Sequence, residues 1–245
     1  MFRPLLIALQ FLTVLPIRFD GAPDAKATGR SLLYYPLVGL FIGALLATAA
    51  WMLSDAPPLV GAAVLLAAWV AVTGALHLDG LADSADAWVG GHGDHDKTLA
   101  IMKDPRSGPM AVVTLVLVLL IKFTALVQIL SNGAWAFFVV VPVLGRTVLV
   151  LLFLTTPYVR PQGLGSLLAN HLPRRACALA VVFTLLAIPV LTGPGASWLL
   201  AAVAGTFFTL RRLMLRRIEG TTGDTAGALV EITETIALLT AALMY

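Results

Sequence analysis

Residues 108–130 read GPMAVVTLVLVLLIKFTALVQIL, an apolar run whose single charged side chain is Lys122. A helix that crosses the hydrocarbon core of a bilayer needs about 20 predominantly apolar residues, so this run predicts a membrane-spanning α-helix. The whole chain shares this character. Hydrophobic residues make up 59% of its 245 positions and charged residues 12%, whereas soluble domains are roughly half apolar and about a quarter charged. The sequence therefore predicts an α-helical membrane protein.

Six further apolar runs are long enough to cross a bilayer, and we expect one membrane domain over residues 1–245. The seven predicted spans cover residues 32–53, 58–78, 108–130, 133–155, 176–193, 196–214 and 227–244. An eighth run, from Leu5 to Ile17, is shorter and includes Pro16, so it predicts an interfacial or re-entrant helix. The fold class is therefore an all-α polytopic bundle with about seven transmembrane helices.

Basic residues occur in alternate connections of this map. All but two of the 16 Lys and Arg residues lie in four connections, which are residues 1–31, 79–107, 156–175 and 211–226. Because cytoplasmic loops are enriched in Lys and Arg, we expect these four connections on the cytoplasmic face. The net charge of +3 then reflects topology and contact with anionic membrane lipid, and it does not indicate a nucleic-acid partner.

Three carboxylates share one helix face in residues 77–91, HLDGLADSADAWVGG. Asp79, Asp83 and Asp86 fall within about 60° of one another, and like charges at this spacing repel. A bound cation would relieve the repulsion. Oxygen ligands favour Mg²⁺ or Mn²⁺ over zinc, and Mg²⁺ is often held by one or two carboxylates together with substrate phosphates. The pattern favours a metal–diphosphate site, and the alternative is a solvated helix extending the preceding span.

A second charged cluster surrounds Pro105. Lys103, Asp104 and Arg106 could form a phosphate clamp, since cationic side chains suit phosphate oxygens. The alternative is an Asp-Pro turn that carries ordinary cytoplasmic-face charge. The sequence leaves both interpretations open.

A third cluster lies in residues 220–234, GTTGDTAGALVEITE. Gly220 and Gly223 precede the last span, and a glycine-rich turn before a helix suits phosphate binding. Asp224, Glu231 and Glu234 then share a face about 80° wide. Asp224 could instead cap the helix, and the two glutamates could extend to the interface.

Two basic residues lie inside predicted spans, Lys122 and Arg146. Ionisable residues in a membrane helix face the bundle interior or a wet cavity. Each of the two therefore needs a carboxylate or a phosphate as partner. Glu231 and Glu234 are the natural candidates.

Three segments in order resemble the cobalamin synthase family, the membrane-bound adenosylcobinamide-GDP ribazoletransferases. They are ALQFLTVLPI at 8–17, HLDGLADSADAWVGG followed by LAIMKDPRSG at 99–108, and TGDTAGALVEITE at 222–234. The resemblance implies transfer of the adenosylcobinamide-phosphate group from adenosylcobinamide-GDP to α-ribazole or its 5′-phosphate, with release of GMP. It also implies a Mg²⁺ cofactor, a bacterial-type inner membrane, and an active face on the cytoplasmic side.

The resemblance carries over the acids Asp79, Asp83, Asp86, Asp224 and Glu231, and the residue patterns together with it lead to a hypothesis for the roles of the clustered residues. Mg²⁺ on Asp79, Asp83 and Asp86 would bind the diphosphate. Proton-acceptor candidates are Asp83, Asp224 and Glu231, with Glu234 as a further matching acid. Substrate-binding and charge-stabilising candidates are Lys103, Asp104, Arg106, Arg146, Gly220 and Gly223.

Two other functional classes remain open from the residues alone. A secondary transporter would place its charged site near the bilayer midplane, whereas most acids here are predicted at one interface. Another Mg²⁺-dependent membrane transferase acting on a diphosphate would also use an aspartate-rich helix. An oligomer is compatible with either class.

Overall fold

The computed structural model describes residues 2–19, 21 and 24–244. These residues form twelve α-helices, which confirms the all-α prediction. The helices are α1 (Arg3–Leu12), α2 (Ala25–Ser31), α3 (Tyr35–Met52), α4 (Pro58–Thr73), α5 (Leu76–Gly90), α6 (His95–Ile101), α7 (Pro109–Ser131), α8 (Ala136–Thr155), α9 (Leu164–His171), α10 (Arg174–Thr192), α11 (Ala196–Ile218) and α12 (Gly223–Met244). Short 3₁₀ turns, Leu32–Tyr34 and Gly193–Gly195, join α2 to α3 and α10 to α11.

Five helical segments of the described chain are long and apolar enough to cross a membrane, or up to six if the bent pair α4–α5 is one span. The five are Ala25–Met52, Pro109–Ser131, Ala136–Thr155, Arg174–Ile218 and Gly223–Met244. The segment Arg174–Ile218 contains both α10 and α11. The predicted number of seven spans stays a prediction, whereas the multi-pass helical architecture is confirmed.

Helices α10 and α11 run antiparallel. Arg174 at the start of α10 donates to the Leu154 carbonyl at 2.6 Å, and Arg211 late in α11 donates to the Thr155 carbonyl at 2.5 Å. Both contacts lie at the end of α8. The chain therefore reverses at Gly193–Gly195.

The helix predicted over residues 58–78 breaks, and α4 and α5 meet at 87°. Gly74 and Ala75 both have left-handed backbone angles, with φ of 60° and 56°, and a left-handed residue ends an α-helix. The N–H of Val14, after α1, donates to the Val72 carbonyl at 2.9 Å beside the break. The acidic residues of 77–91 consequently stand on a separate helix and do not continue the preceding span.

Helix α8 lies at the centre of the bundle, and most of its side chains are buried. Gly39 and Gly43 of α3 face it so closely that an added Cβ would lie 2.6 Å from the Pro142 carbonyl oxygen and 2.6 Å from the Val139 Cα. Small residues allow this close backbone approach between membrane helices. Helix α7 in contrast exposes a row of large apolar side chains.

The four basic connections meet at one end of the bundle, as the charge pattern predicts. Three contacts join them: Gly29 packs against the backbone of His171, the Val159 N–H donates to the Thr221 carbonyl at 2.9 Å, and Arg217 Nε donates to Thr98 Oγ1 at 2.8 Å. The short helices α6 and α9, which the sequence did not predict, belong to these connections. Helix α1 has ten residues, too few to cross a bilayer, as expected.

Candidate active site

Helix α5 crosses the first turns of α12 at very close range. A Cβ added to Gly80 would lie 2.7 Å from the Asp224 carbonyl oxygen, and one added to Gly227 would lie 3.4 Å from the His77 Cα. At Gly80 only glycine permits this approach without displacing backbone, whereas the distance at Gly227 is an ordinary contact. The crossing brings the acids of two sequence motifs together, because Asp79 and Asp224 line the same cavity.

This cavity, called the acid cavity below, has a volume of about 210 Å³. Its polar lining consists of Tyr35, His77, Asp79, Tyr158 and Asp224, and Gly223 also contributes to the wall. The remaining lining is apolar and comes from residues such as Leu149 and Phe153 of α8 and Leu164 and Leu168 of α9. It therefore offers both charged and apolar surface at the basic end of the bundle.

Asp224 forms an ion pair with Arg160. The Arg160 Nη2 and Asp224 Oδ2 atoms are 2.7 Å apart, but their angles do not satisfy hydrogen-bond geometry, and both atoms are buried without another partner among the described residues. The contact is therefore an ion pair in which the hydrogen-bond alignment is poor. An arginine suits phosphate particularly well, since its planar fork can bind two oxygens at once.

A short parallel bridge positions Arg160. The Thr221 N–H donates to the Pro157 carbonyl at 2.8 Å, and the bridge pairs Tyr158 with Thr221. Gly220 packs directly against Pro157, so a side chain there would collide with that carbonyl. Of the two glycines predicted to bind phosphate, Gly220 therefore packs against the protein and Gly223 lines the acid cavity.

Four carboxylates and one arginine share the electrostatic environment of the site. Asp83 is subject to the negative charges of Asp79, Asp224 and Asp86 and to the positive charge of Arg160. Within the described part of the chain, no group of three or more His, Cys, Asp or Glu side chains converges in a metal-binding arrangement. The oxygen donors nevertheless fit Mg²⁺, which needs only one or two carboxylates when a substrate supplies phosphates.

Asp86 makes two backbone contacts that the sequence did not reveal. Its Oδ2 accepts the Gly108 N–H at 2.5 Å and its Oδ1 accepts the Ala111 N–H at 2.9 Å. These are free donors at the N-terminus of α7, where a carboxylate is stabilising. Asp86 thus ties α5 to α7, and its predicted role as a metal ligand stays a prediction.

Lys103, Asp104 and Arg106 form an exposed turn and do not line the acid cavity. Arg106 Nε and Nη2 donate to the two oxygens of Asp104 at 3.0 and 2.9 Å. This contact lowers the pKa of the Asp104 carboxyl. Since Asp86 holds Gly108, the turn is anchored to the acidic helix but remains outside the cavity.

The two buried bases and two of the predicted acids form a separate cluster deeper in the bundle. Lys122 donates to Glu231 at 2.5 Å and to Glu234 at 2.9 Å, and Arg146 donates to Glu234. Lys122 also lies over the Trp69 ring, 4.9 Å from its centroid. The predicted pairing is therefore confirmed. The glutamates are buried and do not extend to the interface.

This cluster is distinct from the acid cavity, whose lining includes neither Arg146 nor Glu231. Glu231 follows Asp224 by two helical turns, which places it roughly 10 Å further along the α12 axis. Arg146 is fully buried and has Glu234 as its ion-pair partner. Their predicted catalytic and substrate-binding roles remain predictions.

Sequence reasoning missed His77, Tyr35 and Tyr158, which line the acid cavity, and Arg160, which is paired with Asp224 beside it. His77 is 4% exposed, and its Nε2 has no hydrogen-bond partner among the described residues. Burial raises the pKa of the Tyr158 phenol, so it stays a hydrogen-bond donor at neutral pH. His77 opens the first acidic motif, which is a signal in the sequence. Arg160 and Tyr158 have no such signal, because positive charge is the one distinctive feature of the connection in which they lie.

The fold and the acid cavity define a polytopic α-helical membrane protein with a polar site at one end of its bundle. Residues 4–242 match the cobalamin-5-phosphate synthase family, and the chain belongs to that family. It is an enzyme of cobalamin synthesis, which confirms the resemblance of the three motifs.

Its relatives include proteins named adenosylcobinamide-GDP ribazoletransferase. The one from Stutzerimonas stutzeri is 59% identical over 242 residues and the one from Pseudomonas putida 56% over 240 residues, with 98% of both chains covered in each case. The one from Pseudomonas entomophila is 55% identical over 241 residues, which cover 98% of this chain and 99% of the relative. No solved structure matches the chain.

Proposed function

We propose that this chain transfers the adenosylcobinamide-phosphate group from adenosylcobinamide-GDP to α-ribazole or its 5′-phosphate in the acid cavity, with release of GMP. The observation that carries this proposal is the convergence of Asp79 and Asp224, from two separate motifs, in one cavity, with Arg160 paired to Asp224 beside it. Acids that can hold a cation and an arginine that can bind phosphate are the groups that a diphosphate substrate requires.

In this proposal, Asp79 and Asp83 hold a Mg²⁺ ion together with the donor diphosphate. The bound ion would neutralise charge on the diphosphate and on the departing GMP. Asp86 supports these two residues by fixing α5 against the N-terminus of α7. Lys103 and Arg106, at the exposed turn that Asp86 anchors, would attract the anionic donor to the cavity.

Arg160 and Asp224 would exchange partners when the donor binds. The Arg160 guanidinium turns to the phosphate oxygens, which frees the Asp224 carboxylate. Asp224 then accepts the proton of the attacking ribose hydroxyl, the new P–O bond forms at the phosphorus next to the cobinamide, and the bond to GMP breaks. Asp224 is favoured over Glu231 as proton acceptor because it lines the cavity, whereas Glu231 is held by Lys122.

His77 would orient one of the reacting groups. Its unpartnered Nε2 is buried in the wall of the acid cavity, and a buried polar atom without a partner is costly until a ligand satisfies it. We place the site at the cytoplasmic face of a bacterial-type inner membrane, because all four basic connections surround this end of the bundle.

The test is magnesium-dependent GMP release. The wild type in proteoliposomes, supplied with adenosylcobinamide-GDP and α-ribazole, should release GMP and form a cobalamin product only when Mg²⁺ is present. Asp79→Asn and Asp224→Asn should lose at least 100-fold in turnover. Asp55→Asn, an acid in the connection between α3 and α4, is the matched control and should retain full activity.

Two results would contradict the proposal. Full turnover in EDTA-treated samples would exclude the metal. Near-normal turnover by a folded Asp224→Asn variant would show that the reaction occurs elsewhere in the chain.

A further inference from the structure

A second cavity opens beside the acid cavity, between α1, α2, α3 and α9. This side chamber has a volume of about 400 Å³, and Gln10, Thr28 and Ser31 contribute to its mostly apolar wall. It shares four lining residues with the acid cavity, namely Phe11, Tyr35, Leu164 and Leu168. The side chamber and the acid cavity are therefore adjacent and share these four side chains in their walls. A single ligand can extend from one into the other.

The shared wall contains a flat aromatic surface. The Phe11 and Tyr35 rings are stacked, with their centroids 6.3 Å apart and their planes at 24°. Offset stacking of this kind favours a further flat ring against the same surface. None of the described residues that line the chamber is charged, so it suits an uncharged aromatic group better than a phosphate.

One polar atom in this wall lacks a partner. Tyr35 is 1% exposed, and its hydroxyl makes no hydrogen bond within the described residues. The Ser31 side chain is close enough to act on it, but the two hydroxyls do not meet hydrogen-bond geometry, and the Ser31 hydroxyl donates to the Thr28 carbonyl at 2.7 Å. A buried hydroxyl without a partner is uncommon and costly. A ligand that accepts a hydrogen bond would satisfy it.

We infer that the side chamber binds the aromatic base of the acceptor nucleoside. The inference rests on the proposed function and names the acceptor's position in the same site. A benzimidazole is flat, has an apolar edge and carries one free ring nitrogen, which matches the stacked rings, the apolar wall and the unpartnered Tyr35 hydroxyl. The attached ribose then reaches the acid cavity, where Asp224 can accept its hydroxyl proton.

The donor fits the chamber less well. A corrin ring is a large macrocycle with many amide side chains, and its attached diphosphate is highly charged. Pockets for small ligands have volumes of about 300–1,000 Å³, and a chamber of about 400 Å³ is at the small end of this range. The amides would also lack polar partners in an apolar wall.

The first experiment measures KM for each substrate separately in the Tyr35→Phe variant. This change removes only the hydroxyl and keeps the stacked ring, so folding should be intact. We expect KM for α-ribazole to rise about fivefold to tenfold, the value of one hydrogen bond, with KM for adenosylcobinamide-GDP unchanged. An acceptor analogue with C–H in place of the free ring nitrogen should bind the wild type and the variant equally.

A second variant fills the chamber. Leu168→Trp should raise KM for α-ribazole more strongly than Tyr35→Phe does. Leu185→Trp is the matched control, since it places the same bulk in a separate apolar cavity of about 270 Å³ between α8, α10 and α11, and it should leave both KM values unchanged.

Several results would overturn the inference. A rise in KM for the donor alone would assign the chamber to the corrinoid. Unchanged KM values in Tyr35→Phe would show that the Tyr35 hydroxyl does not bind the acceptor. If the wild type released no GMP, the proposed function would fail, but direct titration with α-ribazole, followed by the fluorescence of its base, would still test the chamber. Saturable binding weakened by Tyr35→Phe would support the inference, and absence of saturable binding would overturn it.

Discussion

The Asp224 carboxylate lies 2.7 Å from the Arg160 guanidinium, and this contact connects the first turn of α12 to the connection that follows α8. Each side chain is about one-fifth exposed, at 20% and 22%, so a substrate can reach both. The pair is close and partly buried, so a substrate phosphate that draws Arg160 away would leave the Asp224 carboxylate without its cation. It thus combines a phosphate-binding group and a potential proton acceptor at one point.

Replacement of Arg160 should therefore impair turnover far more than folding. Arg160→Ala leaves Asp83 and Asp224 without their shared positive neighbour and removes the proposed phosphate ligand. We expect kcat/KM for GMP release to fall about 100-fold, while the thermal unfolding midpoint in detergent changes little. Arg175→Ala, at an exposed arginine of the same basic connection, is the control and should keep its activity. Equal losses in both variants would argue for a general charge effect.

The close crossing of α5 and α12 should depend on Gly80. Gly80→Ala would place a Cβ 2.7 Å from the Asp224 carbonyl oxygen, and the backbone cannot yield without moving Asp224 away from Asp79. We expect activity to fall more than tenfold and the unfolding midpoint to decrease.

The matched control for this crossing is Gly205→Ala in α11. No atom lies within 4 Å of an added Cβ at Gly205, so alanine should stabilise the helix by about 0.5–1 kcal/mol. If Gly80→Ala retained full activity, the crossing would not determine the geometry of the cavity.

The stability of the protein should depend on the charge balance of the buried cluster that Lys122 and Arg146 form with Glu231 and Glu234. Lys122→Met leaves Glu231 buried without a cation, and loss of one partner from a buried pair costs about 3–5 kcal/mol. We expect a large drop in the unfolding midpoint. The double variant Lys122→Met/Glu231→Gln retains the Arg146–Glu234 pair and restores neutrality, so it should recover most of the loss. If the decreases in unfolding midpoint were additive in the double variant, the stabilising contribution of Lys122 would come from its packing and not from its charge.

The Asp86→Asn variant should show whether Asp86 anchors α5 to α7 or binds the metal ion. The amide keeps one oxygen that can accept from the α7 N-terminus but loses the negative charge that an ion requires. If Asp86 acts as the anchor, the Mg²⁺ concentration for half-maximal GMP release should change less than threefold. Asp83→Asn, the matched change one helical turn earlier, should raise it more than tenfold. A comparable rise for Asp86→Asn would instead assign Asp86 as the third metal ligand.

The sequence did not predict the break between α4 and α5, because hydropathy does not depend on the direction in which a helix runs. Residues 58–78 are apolar throughout, and their transfer energy is the same whether the helix is straight or bent. Gly74 was the only local signal. Ala75, which lies beside it, is left-handed at a cost in energy for a residue with a Cβ, and the segment after α1 contacts the break through the hydrogen bond from Val14 to Val72.

The sequence by itself determined the membrane class, the gathering of basic connections at one end, the acidic motifs, and the need of Lys122 and Arg146 for a carboxylate or phosphate partner. These follow from local quantities, since the cost of placing a side chain in hydrocarbon depends mainly on that side chain. The tertiary structure alone decided that Asp79 meets Asp224, that Arg160 and His77 join them, and that Tyr35 faces a second chamber. These contacts join helices that are far apart in the chain, and they depend on glycines that let two backbones approach. The sequence of one helix does not specify which other helix it packs against.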